Sequence, residues 1–270
     1  VSQLERALTP KTKMVVGVSI LGNPCALDVI RDFCDEKELI FFEYNCESMG
    51  AELNGKLCGT FGDIGTFSSF FSHHIATMEG GILVTNDEEL YHIAKSIRAH
   101  GWSRDLPTDS KVFEKGNNDF FEAYRFILPG YNARPLEMSG AIGIEQLKKL
   151  DQMIGTRRKN ADLFVRLFGS DERFIIQQEN GKSSWFSFTL ILHPDLKVPR
   201  DHINQGLRDA NIEFRIITGG NFLRHDVIKY FDYDCVGEIQ NANIAHDRGF
   251  FVGNFPRDIT EEIKYLPHRS

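Results

Sequence analysis

Apolar residues in the first third of the chain fall in short runs, and the stretches between them carry helical spacing. Residues 13–19 (KMVVGVS) are almost wholly apolar, the mark of a strand buried on both faces in a parallel sheet. A Gly-Asn-Pro turn follows, and residues 26–38 then set Leu27, Ile30 and Phe33 on one helical face. Residues 39–42 form the next buried strand. Strand, helix and strand of this length make a βαβ unit, whose crossover is right-handed. Residues 64–71 read as a further strand, and Ser72, His73 and His74 break it. A Glu79-Gly80-Gly81 turn leads into the strand of residues 82–85. Residues 87–100 predict a helix, with acids in its first turn and Lys95, Arg98 and His100 towards its end, as the helix dipole favours.

Residues 101–125 are polar and irregular, a loop of a length that is often functional. After a turn at 128–135 the pattern predicts one long amphipathic helix over about 136–168, with Leu147, Leu150 and Ile154 at helical spacing. Beyond Phe168 the alternation becomes α+β. Strands are expected at 174–178, 185–192 and 212–217, a helix at 202–210, a glycine-rich turn at 218–221 and an irregular end near 250–252. The domain boundary is placed inside the long helix, giving residues 1–148 and 149–270.

Composition narrows the class. Of 270 residues 41% are apolar and 26% charged, ordinary values for a chain able to bury a full core. No apolar run is long enough to cross a bilayer, and no charged-then-apolar leader opens the chain. The net charge of −7 argues against nucleic acid and leaves a small anionic ligand open. Five cysteines, none in a C-x-x-C pair, fit free thiols in a reducing cytoplasm better than a disulfide framework, a zinc site or an iron–sulfur centre. The chain starts at valine, which suggests a piece cut from a longer protein.

The densest group of reactive side chains lies in residues 61–81: Ser68, His73, His74 and Glu79 beside paired glycines. A neutral imidazole there can move protons near neutral pH, whereas a His-His pair taken alone reads as a solvated loop. In open α/β sheets ligands gather at the carboxyl ends of strands, here residues 43–51 and 68–74.

Four segments, FFEYNCESMGA, FSSFFSHHIATMEGGILVT, IRAHGW and LPGYNARPLEMSGAIGIEQLKKLD, together resemble the sugar aminotransferases that use pyridoxal 5'-phosphate on the aspartate-aminotransferase fold. The resemblance implies fold type I: an α/β large domain, truncated at its N-terminus, with a mostly parallel sheet in three layers, and a small C-terminal α+β domain. Where amino-transferring members carry a Schiff-base lysine this chain has His73, as in a small branch of dehydratases acting on nucleotide-linked 4-keto-6-deoxy sugars. An imidazole forms no stable imine with an aldehyde, so pyridoxamine 5'-phosphate stays free to meet the sugar ketone, with His73 as base. In that branch glutamate regenerates the amine.

The same resemblance implies that Ser68 holds the cofactor phosphate, that Glu47 lies near the ring 3-oxygen, and that Asn132 and Arg134 reach the partner's phosphate in a homodimer with a shared site. Arg215, Gly219, Gly220 and Asn221 match a turn that meets the sugar nucleotide, and Trp185 and Phe186 are left in the core. Two departures stand out. Tyr44 occupies the position of the aspartate that pairs with the ring nitrogen, and a phenol holds no charge at neutral pH. Glu43, one residue away in an extended strand, points to the opposite face. Roughly another hundred upstream residues of the family pattern are also absent. Three readings follow: the dehydratase, an aminotransferase with an unusual base, and a catalytically impaired homologue that only binds.

Overall fold

The computed structural model describes residues 2–266. A short helix α1 (Ser2–Ala7) precedes β1 (Met14–Val18), α2 (Leu27–Glu36) and β2 (Ile40–Tyr44). A hairpin of β3 (Glu52–Leu53) and β4 (Lys56–Leu57) leads to β5 (Ile64–Ser68) and β6 (Gly81–Val84). The first sheet has the order β1-β2-β5-β6, parallel except for β6, which returns antiparallel along β5. Helix α3 (Glu88–Ile97) starts where the Asp87 side chain accepts the Leu90 amide at 2.9 Å, so one of its free amides is satisfied.

The loop after α3 holds one turn of helix, α4 (Asp119–Glu122). The helix expected over 136–168 is two: α5 (Glu137–Leu147) and α6 (Leu150–Phe168), parted at Lys148 and Lys149. A second, antiparallel sheet follows in the order β7-β8-β10-β9, made by β7 (Phe174–Ile176), β8 (Ser187–Leu192), β9 (Phe214–Arg215) and β10 (Gly249–Gly253). Helices α7 (Arg200–Asp209), α8 (Gln240–Arg248) and α9 (Thr260–Tyr265) lie between and after these strands. The end expected to be irregular near 250–252 is therefore β10. It pairs with both β8 and β9, and the Phe-Phe-Val run is what a strand with two neighbours buries.

Each sheet has its own buried cluster. Val15, Leu27, Phe33 and Phe41 pack between the first sheet and α2. Phe164, Phe168, Phe188, Leu190 and Phe250 fill the space under the second, where the Phe164 and Phe188 rings stack at 4.5 Å. Full burial of such a side chain stabilises by about 1.5–3 kcal/mol. The expectation that residues 13–19 are covered on both faces fails. Val15 is buried in the cluster it shares with α2, but Met14, Val16 and Val18, on the other face, are 42–55% exposed. Leu147, placed with Ile154 on one apolar stripe, is exposed while Ile154 is buried; the break at Lys148 takes it off that stripe.

The two halves meet where residues 21–22 run beside residues 183–186. The Ser184 amide donates to the Gly22 carbonyl at 2.9 Å, and the Phe186 amide to the Leu21 carbonyl at 3.2 Å. Gly22 has φ +95°, and a Cβ there would lie 2.6 Å from the Trp185 nitrogen, so only glycine permits this approach. That contact carries the second half to the carboxyl end of the first sheet.

Candidate active site

Val18, Tyr44, Thr66 and Leu83 stand in register across the first sheet and share a face, since side chains at one register position point the same way. Ser68, two residues past Thr66, lies on that face too. Glu43 points to the other. Its buried carboxylate accepts the Gly59 and Gly62 amides at 2.6 and 2.5 Å, which fixes the loop before β5 and leaves no freedom to swing round. Tyr44 is 44% exposed on the open face. Its neighbour Cys46, partial burial and the Glu47 carboxylate push the phenol up to about 12, so it keeps its proton at neutral pH.

Glu47 follows in the turn after β2 and accepts the Leu21 amide at 2.9 Å. Burial raises its carboxyl above the usual range, and that amide opposes the rise. At the end of β5 the Ser68 hydroxyl accepts the Phe70 amide at 3.2 Å, which leaves its own proton to donate. The strand stops there, three residues earlier than its aromatic run suggests. The Ser69 hydroxyl accepts from Thr77 at 2.7 Å and the Ser69 amide donates to Gly80 at 3.0 Å, which closes residues 69–80 into a loop.

His73 and His74 sit in this loop and differ sharply. His73 is half-buried; its ring centroid lies 5.8 Å from Phe70 and 5.4 Å from Phe186, and its Nδ1 is enclosed without a partner. Nε2 is the nitrogen left for proton exchange. Burial, then the positive charge of Arg157, lowers its pKa below the usual 6.5. His74 is 2% exposed, stacks at a tilt 5.6 Å from Phe186, and is pushed down to about 3 by burial and Arg157. His74 is thus a buried, neutral imidazole, and His73 is the more accessible of the two. Phe186 and Arg157 were not among the sequence candidates. Phe186, left in the core, instead touches both imidazoles, whereas Trp185 is buried in the second core as expected. A Phe beside a Trp at the entry to a strand and an Arg in an amphipathic helix carry no local signal that would have marked them.

Asn132 bridges to Ala99 beside the end of α3, and its side chain accepts from Arg134 Nε at 3.2 Å. The Arg134 guanidinium lies 5.7 Å from the Trp102 ring. Both residues are exposed, and among the described residues no hydrogen bond or ring contact joins them to Tyr44, Ser68 or His73. Arg215 projects from β9, with its guanidinium 3.8 Å from Glu213, and lines hollows of 430 and 240 Å³ beside that strand. Gly219 and Gly220 hold φ +85° and +75°, which the turn needs. Asn221 is buried, with Nδ2 donating to Asn243 at 2.9 Å and Oδ1 accepting the Leu223 amide at 3.0 Å, so its side chain is occupied inside the fold.

This combination, a mostly parallel sheet presenting Tyr44, Ser68 and an imidazole loop at its carboxyl end, with a second antiparallel sheet packed against it, defines the fold of the pyridoxal-phosphate-dependent aminotransferases. Residues 1–268 match the DegT/DnrJ/EryC1/StrS aminotransferase family, and the chain belongs to it. It is 53% identical over 266 residues to a GDP-4-keto-6-deoxy-D-mannose 3-dehydratase of Yersinia pseudotuberculosis, spanning 98% of this chain and 68% of that relative. The solved structure of the E. coli GDP-4-keto-6-deoxy-D-mannose-3-dehydratase with bound hydrated PLP superimposes with a TM-score of 0.94 at 51% identity, over 99% of this chain and 69% of that one. A GDP-4-keto-6-deoxymannose-3-dehydratase with a trapped PLP-glutamate geminal diamine matches equally, with a TM-score of 0.94 at 50% identity, over 99% of this chain and 70% of that one.

Proposed function

We propose that this chain is a pyridoxamine-5'-phosphate-dependent lyase that removes the C3 hydroxyl of a GDP-linked 4-keto-6-deoxymannose, with His73 as its base. The observation that carries the reading is His73 itself: a half-buried imidazole kept neutral, in a loop (68–81) that contains no lysine. The relatives' activity at 53% and 51% identity supports the substrate class.

The residues fit the cofactor in all but one respect. The Ser68 hydroxyl has a proton free to hold a phosphate oxygen, and the open row of Val18, Tyr44 and Thr66 offers a flat face to a ring. The exception is the ring-nitrogen position, where Tyr44 offers a phenol and Glu43 is locked away on the opposite face. When bound, pyridoxamine phosphate supplies an amine for the sugar's C4 ketone and a ring that takes up electrons as the C3 hydroxyl departs. His73 Nε2 accepts the proton released next to that amine, and a neutral imidazole is the form able to do so. Phe186 and Phe70 hold the imidazole and exclude water from its inner edge. Glu47 stands towards the ring oxygen. Asn132 and Arg134 serve the phosphate of a second copy in a homodimer, which accords with the lack, among the described residues, of a hydrogen bond from either to this chain's own Ser68. Arg215, Gly219, Gly220 and Asn221 form the turn that meets the sugar nucleotide, the last three through backbone. Residues 1–148 form the cofactor-binding unit and 149–270 the smaller one. Glutamate is the amino donor, as a relative's trapped glutamate adduct suggests.

Absorbance tests the reading. Glutamate is expected to convert the aldehyde spectrum of added pyridoxal phosphate to that of the amine, and the GDP-sugar then to release ammonia. Covalent trapping of the aldehyde on a lysine by borohydride would instead indicate an aminotransferase. A second reading, a homologue that binds without turnover, is favoured by Tyr44 alone, and a chain that takes up no cofactor would support it.

A further inference from the structure

Arg157 is a buried cation with no anion beside it among the described residues. It lies in α6, is 5% exposed, and among the described residues no carboxylate comes within ion-pair distance of it. Its Nη1 donates to the Phe186 carbonyl at 3.0 Å and to the Asn254 carbonyl, and Nε is enclosed without a partner. The Asn254 amide returns hydrogen bonds to the Arg157 carbonyl at 3.0 Å and the Trp185 carbonyl at 2.8 Å, which anchors the group. Carbonyl oxygens offset part of the desolvation, but an unpaired buried charge remains expensive, and an apolar side chain of similar volume fills such a site at less cost. Its neighbour Arg158 contrasts: it stands 3.9 Å from Glu52, so its charge is partly answered.

The guanidinium lies 5.8 Å from the ring of Phe186, and the same ring neighbours His73 and His74. Burial disfavours the protonated form of His73 most, and Arg157 is the charged group that adds to it; His74, its chain neighbour, is buried neutral, held so by burial and then Arg157, with a smaller contribution from Arg158. We propose that Arg157 is a positioning residue for His73. It pins Phe186, the wall on which the imidazole rests, and its unanswered charge disfavours a second positive charge there, so that His73 stands as a proton acceptor. This rests on the reading of His73 as base.

The test is the titration of His73 by NMR in the whole chain without cofactor, with its signal assigned from His73→Asn, in the wild type, Arg157→Gln and Arg157→Lys. The proposal expects a wild-type midpoint below the ordinary value of about 6.5. It expects Arg157→Gln to raise proton affinity at least about threefold, and Arg157→Lys, which keeps the charge and loses the forked geometry, to stay near wild type. An unchanged midpoint in Arg157→Gln, or equal shifts in both variants, overturns it, since a purely structural role affects both alike. Should Arg157→Gln fail to fold, Arg157→Met, which removes the charge and fills similar space, takes its place: a midpoint above that of Arg157→Lys supports the proposal, and one equal to it overturns it. The base reading is judged apart, by turnover in His73→Asn: full activity there sinks that reading whatever Arg157 does to the titration.

Discussion

Glu43 and Tyr44 are neighbours in β2 and stand on opposite faces of the sheet, the carboxylate buried on two loop amides and the phenol exposed on the open face. On the proposed placement of the cofactor, the chain owns an acid one residue from where a ring nitrogen would need one, and the pleat keeps it out of reach. Tyr44→Asp is expected to strengthen cofactor binding about tenfold, the worth of one charge-assisted hydrogen bond of roughly 1.5 kcal/mol. Titration of pyridoxal phosphate by absorbance measures it. Unchanged or weaker binding contradicts the position assigned to Tyr44.

Glu43 has a different role, and its substitution should read out as stability. Glu43→Gln replaces one acceptor oxygen with a donor that faces an amide, at a cost of about 1–3 kcal/mol. A thermal midpoint lowered by several degrees, with cofactor affinity retained in the folded fraction, is the expected result. Lost affinity at unchanged stability would place Glu43 at the ligand instead.

His74 makes the fold sensitive to acid. Its pKa falls from 6.5 unfolded to about 3 folded, so between those values the unfolded chain binds the proton more readily. The stability is fully present above pH 6.5 and is withdrawn as pH falls towards 3. At about 1.4 kcal/mol per pH unit, the span amounts to roughly 4–5 kcal/mol. Denaturant unfolding at pH 7 and pH 4 is expected to differ more in the wild type than in His74→Gln, and equal differences would contradict the burial of a neutral imidazole.

Much of this was legible in the chain. The βαβ start, the Asp87-capped helix and the His-His loop follow from short apolar runs, helical spacing and paired glycines, which are local signals. What escaped depends on contacts between distant segments. Phe186 meets the imidazoles where residues 183–186 lie against residues 21–22, more than a hundred positions away, and Arg157 bonds the Phe186 carbonyl from α6. The open face of β1 was misread because an apolar strand declares what it prefers to touch, and its partner has to be supplied by packing. The break at Lys148 and Lys149 carries no glycine or proline, so the 136–168 periodicity ran through it.

Gly22 offers a check on that long-range contact. Gly22→Ala combines a left-handed φ with a Cβ 2.6 Å from the Trp185 nitrogen, and strain of this kind costs about 1–3 kcal/mol. A lower thermal midpoint together with a His73 titration moved towards 6.5 is expected, because Phe186 and Arg157 would retreat from the loop. A destabilised protein with unaltered His73 would show that the imidazole does not depend on this junction.

The central claim is that His73 carries a proton where relatives in the family that transfer amino groups hold a covalent lysine, and one comparison addresses it directly: ammonia release from GDP-4-keto-6-deoxymannose by the wild type, His73→Asn and His73→Lys, each given pyridoxal phosphate and glutamate. The account predicts release by the wild type, a loss of at least about a hundredfold in His73→Asn, and in His73→Lys a borohydride-trappable cofactor with little release. Undiminished release by His73→Asn, or a His73→Lys protein that takes up the cofactor and traps none of it, would contradict the account.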